Sequence, residues 1–151
     1  GEPFILPYDM EPAYAHLDED MSLRNIWKLL TANKDIEVVS FLDSCFSGMT
    51  DNTPLFKGVA PGLLRRVSIQ TGTNNLQVFS AGTSTQFANY YPEKGHRLFS
   101  YYLAKSLLKG IKEPEKLIET IKVGVKERSS QLGPAYLQTP VYQTRITRNG
   151  I

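Results

Sequence analysis

The chain alternates short apolar runs with polar stretches rich in glycine and proline. The first run, "PFILPYD" at 3–9, is bounded by prolines and predicts a buried strand that ends in a loop. A polar connection, "EPAYAHLDED", follows. Leu23, Ile26, Trp27 and Leu30 then recur at helical spacing, which predicts a helix through about Thr31, capped by Asp20 or Ser22. "EVVSFLDSC" at 37–45 is nearly continuous in apolar residues, as in a strand covered on both faces. The stretch 46–75 has the marks of a long loop. "LQVFSAGT" at 76–83 predicts a third strand, and "STQFANYYPEKGH" at 84–96 a second loop. "RLFSYYLAKSLLKG" at 97–110 predicts a helix with Leu98, Tyr101, Tyr102 and Leu108 along one face and Gly110 as its stop. "EPEKLIETIKVGVKERSS" at 113–130 predicts another, with Pro114 at its start and glutamates in its first turn. "TPVYQTRI" at 139–146 closes the series as an edge strand. That order argues for an α/β sheet layered with helices.

Length and composition narrow the class. The 151 residues make one domain, 1–151, close to the lower limit for a layered α/β enzyme. At 41% hydrophobic and 21% charged residues, disorder, repeat arrays and fibrous structure are excluded. A net charge of +2, with both signs mixed along the chain, gives no footprint for nucleic acid. No apolar run approaches the roughly 18 residues of a membrane span, and no secretory leader pattern opens the chain. The single cysteine cannot form an internal disulfide, which fits the cytoplasm. An opening on Gly1, followed at once by an apolar run, suggests a fragment or a processed subunit.

That cysteine carries the candidate chemistry. Cys45 follows the second predicted strand, and open α/β sheets collect their reactive groups just past the carboxyl ends of strands. A thiol there needs an electropositive setting or a base to become a nucleophile. The small residues of "CFSG" offer backbone N–H groups for an oxyanion. Buried cysteines are common and mostly inert small hydrophobes, so position alone favours the plain reading over the nucleophile. The two histidines, His16 in the acidic connection and His96 in "EKGHRLF", read as surface or capping residues rather than as bases.

"DSCFSG" after an apolar strand resembles the "DSCHSG" nucleophile motif of metacaspases and bacterial caspase-like peptidases. The similarity extends to "FILPYD…LDEDM…LRNIWKLL" before the motif and to "VFSAGTSTQFANYYPEKGHRLFSYYLAKSLLKG" after it, covering about residues 2–110 in order. It implies a caspase-like three-layer α/β/α sandwich with a mostly parallel central sheet, incomplete at its N-terminus. It implies a cysteine endopeptidase in which Cys45 forms an acyl-enzyme, Gly48 permits close backbone approach and the Cys45 amide helps hold the oxyanion. Phe46 stands where metacaspases usually carry His, which points to the bacterial branch. The family's catalytic histidine lies in a "His-Gly" segment that would precede residue 1, together with one or two strands whose absence would leave an apolar sheet edge exposed.

Further implications of the resemblance are specific. Asp43 takes the place of the acidic residue that pairs with Arg or Lys before the cut, so cleavage after basic residues is expected. Its plainer reading is a cap for local backbone N–H groups. Arg65 and Arg66 are candidate autoprocessing sites in the loop after Cys45, or simply a solvated dibasic pair. No cofactor is expected. Calcium held by Glu2, Asp18, Glu19 and Asp51 is a weaker possibility within the family, and no motif for zinc, phosphate or a dinucleotide is visible. The expected partners are a protein or peptide substrate and the N-terminal part of the same catalytic domain, with no nucleic acid and no membrane. The rival reading is a non-catalytic caspase-fold module for protein interaction, and a third makes the domain the effector of a larger bacterial defence or signalling protein.

Overall fold

The structure is a computed structural model that describes residues 4–7, 9–11, 14, 17–44, 49–50, 53–54, 74–83 and 86–144. Helix α1 (Leu23–Leu30) starts where the sequence signals it. The Ser22 hydroxyl accepts from the Asn25 N–H at 3.1 Å and satisfies one of the donors a helix start leaves unpaired. At the other end, the buried Thr31 hydroxyl donates to the Trp27 carbonyl at 2.6 Å, and the Lys34 ammonium donates to the Thr31 carbonyl at 2.7 Å. Leu23 and Trp27 are buried, whereas Leu30, expected on the same face, points to solvent.

Strand β1 (Val38–Leu42) follows, and two-residue strands β2 (Met49–Thr50) and β3 (Thr53–Pro54) pair antiparallel within the stretch expected as pure loop. Strand β4 (Leu76–Ser80) runs parallel to β1, with Val38 opposite Leu76 and Leu42 opposite Ser80. A second small hairpin, β5 (Tyr90–Tyr91) and β6 (His96–Arg97), turns through Gly95 at φ +68°, so strand pairing also occurs at 90–97, where a loop is expected through 96.

Helix α2 (Leu98–Leu108) ends as the Gly110 signal predicts. Gly110 adopts φ +78°, its N–H reaches the Leu107 carbonyl at 2.9 Å, and the Ile111 N–H reaches the Ser106 carbonyl at 3.1 Å. The buried face of α2 is Leu98, Phe99 and Ser106, with Tyr102 and Leu103 beside them. Leu108, expected on that face, is 89% exposed. Helix α3 (Pro114–Gln131) opens with Pro114 in its first turn, where a missing N–H costs nothing. Strand β7 (Val141–Thr144) pairs antiparallel with β4, placing Phe79 opposite Tyr142.

The sheet order is therefore β1-β4-β7, a small mixed sheet with one parallel pair. Helices cover both faces. On one, Leu23 and Trp27 of α1 pack with Leu76, Val78, Val38 and Leu42, and the Trp27 indole N–H lies 3.4 Å from the Ser40 hydroxyl. On the other, Phe79 and Ala81 pack with Leu98, Phe99, Leu117, Ile118, Ile121 and Val125 of α2 and α3. The chain is mixed α/β with three α-helices among the described residues.

Two strand expectations differ from the structure. Within 3–9, the described residues make only an isolated bridge, Phe4 opposite Ser22, rather than a sheet strand. Prolines at 3 and 7 remove donors from this short run, and Ile5 is exposed. β1 is not covered on both faces: Val39 and Phe41 are 46% and 42% exposed, because among the described residues no strand pairs beyond it. The continuous burial expected of β1 belongs to β4, where Leu76, Gln77, Val78 and Phe79 are all buried. Among the described residues no helix is long and apolar enough to cross a membrane.

Candidate functional site

β1 and β4 run in the same direction, so their carboxyl ends lie side by side. The Ala81 N–H continues the ladder past β4 by donating to the Leu42 carbonyl at 2.8 Å. The next residue on the β1 side is Asp43. Its Oδ2 accepts from the Ser100 N–H at 3.0 Å and from the Ser100 hydroxyl at 2.5 Å. Ser100 is the third residue of α2, so the start of that helix also points to this sheet end.

The reason for this contact lies in α2 itself. Its N-cap position is held by Arg97, which provides no side-chain acceptor. The first N–H groups of a helix need one, and the positive end of its dipole favours an anion. Asp43 supplies the acceptor from another element. Its capping is thus real, but it acts on a remote helix rather than on the local backbone. The other oxygen, Oδ1, is buried and has no hydrogen-bond partner among the described residues. A buried acceptor without a donor is uncommon, and residues 45–48, which follow closely in the chain, lie outside the described residues.

A buried polar network stiffens the neighbouring loop. Gln138, fully buried, accepts from the Asn89 N–H and from the Asn89 side-chain amide, both at 2.9 Å. Its own amide donates to the Ala81 carbonyl at 2.9 Å, and its backbone N–H to the Ser129 hydroxyl at 3.0 Å. One glutamine therefore ties the end of β4, the loop before β5 and the helix α3. The Arg97 guanidinium donates to the Ala88 carbonyl at 2.5 Å and closes the hairpin onto the same loop.

Of the residues singled out from the sequence, Asp43 is half-buried at the sheet's carboxyl end. Cys45 and Gly48 come directly after that end in the chain but lie outside the described residues, as do Phe46, Arg65, Arg66 and His16. His96 is exposed in β6 and lines a groove with Ser100. Among the calcium candidates, Asp18 caps the turn Glu19–Met21 by accepting from the Asp20 N–H at 3.1 Å, while Glu2 and Asp51 lie outside the described residues. Among the described residues no three acidic, histidine or cysteine side chains cluster as metal ligands. Sequence reasoning missed Ser100. The signal available was an arginine at an N-cap position, which leaves the following helix in need of an acceptor from elsewhere.

Comparison with family models, with curated proteins and with solved structures finds no match to this chain.

Proposed function

We propose that this chain belongs to the catalytic domain of a caspase-like cysteine endopeptidase that cleaves after arginine or lysine. The observation that carries the reading is the Asp43 carboxylate at the carboxyl end of β1. One of its oxygens is pinned by Ser100 and the other is buried without a donor among the described residues, two residues before the only cysteine. A guanidinium or ammonium from a substrate would supply the missing donors with a charge-assisted bond. The Cys45 thiolate attacks the scissile carbonyl and the C–N bond breaks. The amine leaves with a proton from the general base, and water then hydrolyses the thioester. By the sequence resemblance, the base is the histidine of the family's "His-Gly" motif.

The rest of the caspase-like reading is the sandwich itself. Helices on both faces and the parallel β1–β4 pair are compatible with it. Among the described residues no strand pairs on the outer side of β1, where Val39 and Phe41 are exposed, which fits a further strand laid beside it.

The test uses the longest natural form of the protein and a covalent probe carrying Arg before its electrophile. A matched Asp probe and a Cys45→Ala control run beside it, with labelling read by intact mass. Labelling by the Arg probe alone, lost in Cys45→Ala, is the expected result. Labelling by the Asp probe would keep the peptidase and remove the role given to Asp43. A folded protein labelled by neither favours the non-catalytic interaction module.

A further inference from the structure

The outer side of α2 departs from what a surface helix needs. Its inner face is fully used by the core, so its outer face should be polar. Instead Tyr101, Ala104 and Leu108, spaced for one face, form the floor of an open groove of about 540 Å³. Leu108 is 89% exposed at the groove's end. Lys94, Lys105 and Lys109 line the same groove together with His96, and among the described residues no acidic side chain lines it.

The charges are not accounted for by the helix. Lys105 and Lys109 near the C-terminus of α2 complement its dipole. Lys94 comes from the β5–β6 turn and does not. Two ammonium groups nevertheless converge on one ring: the Lys94 and Lys105 nitrogens lie 5.9 Å and 5.7 Å from the Tyr101 ring centroid. Among the described residues no salt bridge joins either lysine to a carboxylate; Glu93, close enough to feel the Lys94 charge, is bridged to Arg128 instead. The Tyr101 ring attracts each ammonium, but the two like charges still repel one another, and an anion between them would relieve that repulsion.

We infer that this groove binds an acidic peptide segment that also carries apolar side chains. Its carboxylates meet Lys94, Lys105 and Lys109, and its apolar residues cover Ala104, Leu108 and the Tyr101 ring. Inorganic phosphate or a polyphosphate would leave the apolar floor uncovered. Nucleic acid calls for a wider basic surface than a chain of net charge +2 presents. The groove's volume falls in the range of about 300–1,000 Å³ for small binding sites, enough for a short stretch of peptide. Ser100, which holds Asp43, also lines the groove, but the inference asks no groove residue to do chemistry.

The experiment is fluorescence anisotropy with a labelled peptide of interspersed Glu and Leu, on the full chain and on its Cys45→Ala form. Saturable binding that weakens with added salt is expected, equal in both forms. The double charge reversal Lys94→Glu with Lys105→Glu should weaken it about tenfold or more. Leu108→Ser should weaken it about threefold or more, through lost apolar cover alone. Circular dichroism establishes that each variant is folded. An all-Gln, Leu peptide binding as well as the acidic one overturns the inference. So does unchanged affinity in the lysine variant, displacement by phosphate at equal charge concentration, or tighter binding of a single-stranded oligonucleotide.

Discussion

Replacing Gly124 by alanine probes the contact that sets where α2 lies, and with it Ser100 and the held oxygen of Asp43. Gly124 is buried on α3 against the Tyr102 ring of α2. A Cβ added there would stand 2.2 Å from Tyr102 Cε1, 2.3 Å from Cδ1 and 2.8 Å from Cζ. Three atoms of one rigid ring are struck at once, so the ring must move by more than an ångström. It is boxed in by Tyr101, edge-on at 5.1 Å, and by Tyr91, stacked at 6.5 Å. Overpacking of this kind costs about 1–3 kcal/mol or more, against which alanine regains about 1 kcal/mol of helix propensity. The depth of the overlap puts the cost at the upper end, so the net expectation is a loss of about 2 kcal/mol, a fall of roughly 4–8 °C in Tm for a domain of this size. Urea unfolding followed by circular dichroism and by Trp27 fluorescence measures it. Trp27 is the only tryptophan and is buried on the opposite face of the sheet, so it reports global unfolding. In a Tyr102→Ala background the clash is gone, and the same substitution should stabilise by about 1 kcal/mol. A neutral or stabilising Gly124→Ala in the native background, or an equal cost in both backgrounds, refutes the close-approach argument.

Other expectations follow from the same contacts. Gln138→Ala leaves the Asn89 N–H and the Ala81 carbonyl without their partner, so it should cost about 2–5 kcal/mol, read as a drop of roughly 6–15 °C in Tm; a drop under about 2 °C would show the network to be dispensable. Asp43→Asn keeps an acceptor for Ser100 but removes the charge, so labelling by the Arg-bearing probe should fall about tenfold or more with little change in Tm. Ser100→Ala keeps only the backbone bond to Asp43 and should lower stability by about 1 kcal/mol in denaturant titration. Burial, and then the nearby Tyr91 and Glu127, hold the Tyr102 phenol above the ordinary tyrosine value. A folded value above the unfolded one means that this stabilisation is complete below about pH 10 and is lost as pH rises through the folded value. Tyr102→Phe should therefore show a shallower alkaline loss of stability than the native chain, and parallel curves for the two would remove the assignment.

What the sequence determined by itself was local. The α1 cap, narrowed to Asp20 or Ser22, the Gly110 stop, the Pro114 start and the helical period of α2 and α3 depend on neighbours within a turn, so composition and spacing were enough to place them that closely. The apolar character of "VVSFL" and "LQVFS" was equally legible, yet it says only what can be buried. Which strand would be covered was decided by the sheet order, which put β4 between β1 and β7 and left Val39 and Phe41 at an edge. The inner face of α2 was misread at Leu108 because both sides of that helix are apolar, and only packing against α3 selects between them. Asp43 met Ser100 across 57 residues of chain. No periodicity reports such a contact, because the need for an acceptor at a helix start is written locally, while the residue that answers it is chosen by the fold.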